Sequence, residues 1–262
     1  MNILIMTDLE GISGIDSIEM IQNTETSFYQ NALERLMLDV NTAIAAAKNV
    51  GVERVFVVDG HGSGQNFIPN KLDSRAEQLH GNQWQEVVKN RQIGAYLEIG
   101  IHAKAGTRNA FLDHTQSSIQ WFDYRMNGCS SGEIAQGAAF TGAFDIPFVM
   151  VSGDEAACDE AVAFLGAVAT ARVKQGVGRN KAKAVDSQEA LNRIYMAVVE
   201  GLRRLHNIQP FKVIMPLELQ LTLCRTDYCD DLMEVNPDIE RLDARTVRKL
   251  VDQIQSYQDL LF

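Results

Sequence analysis

The stretch VGVERVFVVDGHGSG, residues 50–64, decides the fold. Its run Val55-Phe56-Val57-Val58 is β-branched and aromatic without polar alternation, the pattern of a strand buried on both faces. It closes in a polar, glycine-rich loop. Upstream, apolar Leu33, Leu36, Leu38, Val40, Ile44 and Ala47 are mixed with good helix formers, so residues 28–48 read as one helix with Gly51 just past its end. Before that helix, Ile3-Leu4-Ile5-Met6 marks a strand over 2–7. Strand, helix and strand in succession make a βαβ unit, which implies parallel strands with helices on the sheet faces.

The pattern continues. AYLEIGI (95–101) reads as a third strand, GEIAQGAAFTGA (132–143) as a helix whose small residues allow close packing, and PFVMV (147–151) as a fourth strand. Beyond residue 170 the texture changes. ARVKQGVGRNKA (171–182) is basic and interrupted by glycine, 187–206 reads as an amphipathic helix, 211–224 alternates like strands, and 244–261 reads as a closing helix. The expected fold is α/β. A mostly parallel sheet flanked by helices would occupy residues 1–170, with a smaller C-terminal α+β lobe over 171–262 and no clear linker.

At 262 residues with 46% hydrophobic and 22% charged side chains, the chain has the composition of an ordinary globular protein. A formal net charge of -10 excludes a nucleic-acid backbone as the expected partner, since that requires a basic footprint. No run approaches the ~18 apolar residues of a membrane span, and no basic, signal-like segment precedes the first strand. Cys129, Cys158, Cys224 and Cys229 form no C-x-x-C pair, so a reduced, cytoplasmic setting is expected.

Ligands of open α/β sheets bind outside the carboxyl ends of the strands. Three of the expected strands run into metal-compatible residues there: Asp8 and Glu10 after the first, His61 after the second, His102 after the third. Asp8 and Glu10, two residues apart, point to one side of an extended chain and repel each other unless a proton or metal lies between them. Glu133, in the first turn of the small-residue helix, adds a third carboxylate. Singly, each has an ordinary explanation as a turn residue, a core histidine or a helix cap; their shared placement does not. Asp8, Glu10, His61, His102 and Glu133 together make a mixed nitrogen and oxygen set suited to two divalent ions such as zinc, with Asp8 the natural bridge. His114 lies in a further loop, whereas His80 and His206 read as strand-end and helix-end residues. Asp59 and Asp113 stand near enough in sequence to orient a site imidazole, and Lys104 and Arg108 to meet a substrate carboxylate.

The ordered set TDLEGISG (7–14), VVDGHGSGQN (57–66), GIHAKAGT (100–107) with FLDHT (111–115), and the segment from Asn127 to Asp154 resembles the D-aminopeptidases of the M55 metallopeptidase type. Weaker similarity continues through ARVKQGVGRNKA and DIERLDARTVRKL (238–250). The resemblance implies a zinc metallo-aminopeptidase that removes an N-terminal residue, a D-amino acid, from short peptides or amino-acid amides. It implies two zinc ions per subunit bridged by Asp8, with Glu10 and His102 on one ion and His61 and Glu133 on the other. His114 would be the catalytic residue beside them, and the substrate's free α-amine is expected at one metal. It further implies self-association into a ring-like decamer with active sites on an inner channel. The residues themselves leave two alternatives open: a two-metal amidase or phosphoesterase, and a non-catalytic nucleotide-binding α/β domain. The latter lacks both G-x-G-x-x-G and G-x-x-x-x-G-K-[ST]. No role for Lys174 or Arg179 follows from the sequence.

Overall fold

The computed structural model describes residues 1–262. Its elements run β1 (Asn2–Thr7), α1 (Ser27–Asn49), β2 (Arg54–Asp59), β3 (Ala76–Leu79), α2 (Gln83–Lys89), β4 (Ala95–Ile101), β5 (Trp121–Met126) and β6 (Cys129–Ser130). They continue α3 (Glu133–Ala143), β7 (Phe148–Asp154), α4 (Glu155–Leu165), β8 (Ala169–Gly178), β9 (Lys181–Ala184), α5 (Ser187–Arg203), β10 (Leu217–Leu223), α6 (Thr226–Val235), β11 (Glu240–Arg241) and β12 (Thr246–Val251).

Seven strands form the main sheet in the order β3-β2-β1-β4-β7-β8-β9, parallel as far as β8, with β9 folding back antiparallel. From β1 the chain first builds outward through β2 to β3, then returns to place β4 against the other side of β1. The strand order therefore reverses between β1 and β4, the place where loops diverge and a ligand crevice opens. Asp8 leaves the end of β1 and His102 the end of β4, so these two neighbours flank that crevice.

Strand periodicity divides the core between the two faces of the sheet. Ile3, Ile5, Leu97 and Ile99 pack with α1 and α5 on one side. Leu4, Phe56 and Tyr96 pack with Ala138, Ala139 and Phe140 of α3 on the other. Small residues let α3 approach closely: a Cβ at Gly137 would lie 2.6 Å from Glu98 Oε1, and one at Gly142 1.8 Å from the Phe211 carbonyl oxygen. Helix α1 starts where the Thr26 side chain accepts a hydrogen bond from the Tyr29 amide, the capping arrangement that satisfies an orphan donor.

The second sheet is antiparallel, β11-β12-β10-β5-β6. In β10, LELQLTL, every leucine is buried and every intervening residue is partly exposed. The two lobes are interleaved in sequence instead of dividing near residue 170. Strand β8 spans that position inside the main sheet and α5 packs on it, whereas β5 and β6, well before it, belong to the second sheet. The expected closing helix over 244–261 is also replaced. Thr246–Val251 is β12, paired with β10, and only Tyr257–Leu260 makes a short 3-10 turn. The β-branched Thr246, Val247 and Val251 favour the strand, and Val247 and Val251 bury against sheet neighbours. Residues 211–216 are irregular, and β7 extends beyond 151 to Asp154. No helix is long and apolar enough to cross a membrane.

Candidate metal centre

The chain leaves β1 through Asp8-Leu9-Glu10-Gly11, pressed against the end of β4. The Asp8 amide donates to Ile99 O at 2.9 Å and the Gly11 amide to Gly100 O at 2.6 Å. A Cβ at Gly11 would lie 2.1 Å from Ile101 O, so only glycine passes there. Farther on, the Ser13 amide and hydroxyl donate to the Asp39 carboxylate of α1 at 2.8 and 2.6 Å. Burial pushes that carboxyl up to about 6, against the lowering effect of the Ser13 hydrogen bonds. From β8, the buried Lys174 Nζ donates to Glu10 O and to Ile15 O, each at 2.6 Å, while lying 4.7 Å from the centre of the Phe111 ring. Burial brings the Lys174 ammonium down to about 7. Lys174 thus holds the backbone that carries Glu10.

The His61 loop is held differently. The Asp59 carboxylate accepts from the amides of His61 (3.2 Å) and Asn66 (2.5 Å), and from Asn66 Nδ2 (3.2 Å). Asn66 Nδ2 also donates to His61 O at 2.8 Å, and Tyr29 Oη donates to Asn66 Oδ1 at 2.5 Å. Asp59 therefore anchors the histidine's peptide and leaves the imidazole alone. Asp113 likewise accepts from the Gly106 amide, at 2.8 Å, and makes no hydrogen bond to an imidazole. Lys104 and Arg108 line a separate cavity with Glu160.

Six side chains converge at the crevice. His61 Nδ1 lies 3.0 Å from Asp8 Oδ1 and 2.9 Å from Glu10 Oε2. His102 Nε2 lies 3.4 Å from Asp8 Oδ2 and 3.5 Å from Glu133 Oε1. The imidazole of His114 stacks on that of His102, with centroids 3.8 Å apart and planes within 15°. Asp8, Glu10 and His61 form one group whose candidate ligand atoms all lie within 4.8 Å of one another, and His102, His114 and Glu133 form a second. Asp8 turns one oxygen to each group. His61 accordingly sits with Glu10 and His102 with Glu133, a partition that differs from the pairing implied by the resemblance.

The donors fit a divalent metal. Asp8 Oδ2 and Glu10 Oε2 are buried and have no hydrogen-bond partner. His61 Nδ1 carries at most one hydrogen, so it serves Asp8 Oδ1 and leaves the equally near Glu10 oxygen without a donor. His102 Nδ1 faces Ala103 O at 3.0 Å and His114 Nδ1 faces Leu112 O at 2.8 Å. A carbonyl only accepts, so both imidazoles carry hydrogen on Nδ1 and present Nε2 to the crevice, the arrangement that orients a metal-ligating histidine. Burial alone would lower His61, yet hydrogen bonds to Asp8 and Glu10 hold it up at about 11. His102 is raised well above its ordinary value despite burial, chiefly by the charge of Glu133 and a hydrogen bond to it. Burial alone would raise Asp8 and Glu133, yet both lie below the usual carboxylate value. For Asp8 the His61 hydrogen bond and the His102 charge prevail, and for Glu133 the charge and hydrogen bond of His102. The site thus favours cations strongly.

A family model described as D-aminopeptidase, of the M55 peptidases, matches residues 1–261. The chain belongs to the M55 D-aminopeptidase family. A D-aminopeptidase of Bacillus subtilis (strain 168) is 27% identical over 214 residues, 80% of this chain and 77% of that protein. Among solved structures, the Zn-dependent D-aminopeptidase DppA from Bacillus subtilis, a self-compartmentalizing protease, shares the fold. Its TM-score is 0.91 at 23% identity, over 99% of this chain and 95% of that one.

In this M55 chain a cavity of about 310 Å³ opens beside the crevice, lined by Asp8, Asp59 and Glu133 and also by Trp84, Tyr96, Glu98 and Tyr257. His80, read from sequence as a strand-end residue, lines it too. Glu98 is the functional candidate that the sequence reading passed over. Its signal was present: one acid inside the otherwise apolar AYLEIGI, where a buried carboxylate needs a reason.

Proposed function

We propose that this M55 chain is a zinc metallo-aminopeptidase that removes the N-terminal residue, a D-amino acid, from short peptides or amino-acid amides. The observation that carries this reading is the convergence of three carboxylates and three imidazoles on one crevice, two of whose buried oxygens lack any hydrogen-bond partner. Two zinc ions per subunit would be held by Asp8 between them, with Glu10 and His61 toward one and His102 and Glu133 toward the other. The zinc dependence of the structural relative supports the choice of metal. Zinc, when bound, lowers the pKa of its water to about 7 and polarises a carbonyl as a Lewis acid. His114, whose Nδ1–H is committed to Leu112 O, can take up the attacking water's proton on Nε2 and, so protonated, donate it to the developing oxyanion or hand it to the leaving amine. Asp59, Lys174 and the hydrogen bond from the Gly11 amide to Gly100 O keep the ligand-bearing loops in place.

Metal analysis combined with a substrate panel tests the reading. Hydrolysis of D-alaninamide that chelation abolishes and zinc restores is the expected result, with the L-amide slower. Cleavage of a phosphodiester without cleavage of either amide would sink it.

We also infer that the chain assembles into a ring-like homo-oligomer, a decamer, with its active sites facing an inner channel. Support comes from the self-compartmentalizing relative and from large apolar side chains left exposed on one chain, including Ile119, Phe122, Ile214 and Leu250. Light scattering would report ten times the chain mass; a monomer at micromolar concentration contradicts the proposal. A cytoplasmic setting accords with four free cysteines, Cys129 and Cys224 among them exposed. Recovery of the protein in an extracytoplasmic fraction would argue against it.

A further inference from the structure

The cavity beside the metal centre contains one carboxyl that neither the proposed ligand set nor the loop anchors use. Glu98 lies on β4 in register with Met6 of β1. Its side chain therefore leaves the same sheet face as that of Asp8, one pleat deeper. It is 4% exposed and lines the cavity. Tyr96 Oη donates to Glu98 Oε1 at 2.8 Å, and Oε2 has no partner at all.

The other carboxylates of the same cavity are already engaged. Asp8 and Glu133 face the histidines of the metal centre, and both oxygens of Asp59 accept from His61 and Asn66. Gly137, facing Glu98 from α3, has no side chain that could supply a donor, and a Cβ there would meet Oε1 at 2.6 Å. A buried acceptor without a donor costs about 1–3 kcal/mol, more if charged, so an unfilled oxygen in a ligand cavity points to a ligand that donates. Every aminopeptidase substrate carries such a donor: its N-terminal ammonium.

Resting on the aminopeptidase reading, we propose that Glu98 binds the substrate's free α-ammonium, with the Tyr96 hydroxyl fixing the carboxyl that receives it. The amine is thereby assigned to a carboxyl in place of the metal expected from sequence. An ammonium gives Oε2 a partner, and its positive charge favours the ionised form of the carboxyl in a cavity edged by Asp8, Glu133 and Glu98. Peptides with a blocked N-terminus would leave Oε2 unfilled, which gives the site its preference for chain ends.

The test uses the zinc-loaded enzyme, Glu98→Gln, and two competitors of D-alaninamide hydrolysis: D-alaninol, which carries the ammonium, and 1-propanol, which does not. Glu98→Gln is expected to keep the wild-type zinc content, to lose at least tenfold in kcat/KM through KM, and to bind D-alaninol at least tenfold more weakly. Inhibition by 1-propanol should not change. An amine held by metal alone would survive the substitution, so a zinc-loaded Glu98→Gln with wild-type KM and D-alaninol affinity overturns the proposal. If that variant does not fold, the wild type decides, because equal inhibition by D-alaninol and 1-propanol overturns it equally. If the wild type hydrolyses no aminoacyl amide, the aminopeptidase reading fails by itself. Calorimetric binding of D-alaninol to both proteins then still tests Glu98.

Discussion

Lys174 Nζ lies 2.6 Å from the carbonyl oxygen of Glu10, the residue whose side chain turns toward His61. The same ammonium holds Ile15 O at 2.6 Å, so one side chain from β8 closes both ends of the loop that carries a proposed metal ligand. Asp39 holds the middle of that loop through Ser13. The crevice is thus kept in shape from both sides of β1: by α1 beneath the loop and by a strand three places away in the sheet.

Replacing Lys174 with Met keeps most of the volume and removes both hydrogen bonds, leaving two buried carbonyls without donors. The expected loss of stability is on the order of 3 kcal/mol, read from urea unfolding. Zinc affinity should fall roughly 10–100-fold, the usual consequence of removing a group that positions a ligand. Unchanged zinc affinity in a destabilised Lys174→Met would confine the residue to packing.

Gly11→Ala tests the crossing of the two backbones. The new methyl would lie 2.1 Å from Ile101 O, so the loop must move away from β4 and give up the Gly11 to Gly100 hydrogen bond. A loss of at least about 2 kcal/mol with reduced zinc content is expected, within the range of overpacked buried sites. An alanine protein with wild-type melting and zinc content would show that the crossing is slack.

How far these features could be read from sequence depended on how local their causes are. The buried strands ending at Thr7, Asp59 and Ile101 announced themselves by continuous apolar runs, and α1 by its period and Gly51. The metal-compatible residues were legible because the strand ends of a parallel sheet share one edge. Three features were not legible. Thr246–Val251 carries alternating and helix-like spacing at once, and only pairing with β10 selects the strand. The interleaving of the sheets depends on β5 meeting β10 across about ninety residues of chain, a contact with no local trace. Lys174 stands in a basic, glycine-interrupted stretch from which no role follows, and only the fold of β8 turns its side chain inward beneath Glu10.

Asp8→Asn should empty the centre. The two carboxylate oxygens face different histidine groups, and an amide nitrogen in place of one oxygen cannot ligate a cation. Loss of both zinc equivalents after dialysis, measured by elemental analysis, and a fall in turnover of about a thousandfold or more are expected. Retention of both equivalents would remove Asp8 as the bridge.

His114→Ala separates catalysis from metal binding. His114 stacks on His102 within ligand reach of Glu133, so its place in the site admits either role. The proposed catalytic role requires both zinc equivalents to remain while kcat falls roughly 10²–10⁴-fold, the usual contribution of a positioned acid or base. Loss of one equivalent would instead make His114 a ligand.

Glu98 gives the metal-free protein a pH dependence with a definite sign. Burial, reinforced by the charges of Glu133 and Asp8 and opposed by the Tyr96 hydrogen bond and His102, pushes its carboxyl up to about 8. The folded state keeps a proton there that the unfolded chain releases at its ordinary, lower value. Between those two values the folded state binds more protons, so this group's contribution to stability falls as pH rises from about 4.5 toward 8. Glu98→Gln is neutral at every pH and escapes the loss, whereas the remaining site residues titrate in both proteins. In chelator, the variant should therefore gain on the wild type between pH 5 and pH 8 by an amount on the order of 4 kcal/mol at most. Urea midpoints at pH 5, 6.5 and 8 measure the difference. A gap that stays constant across those three points would mean that Glu98 ionises normally in the folded chain.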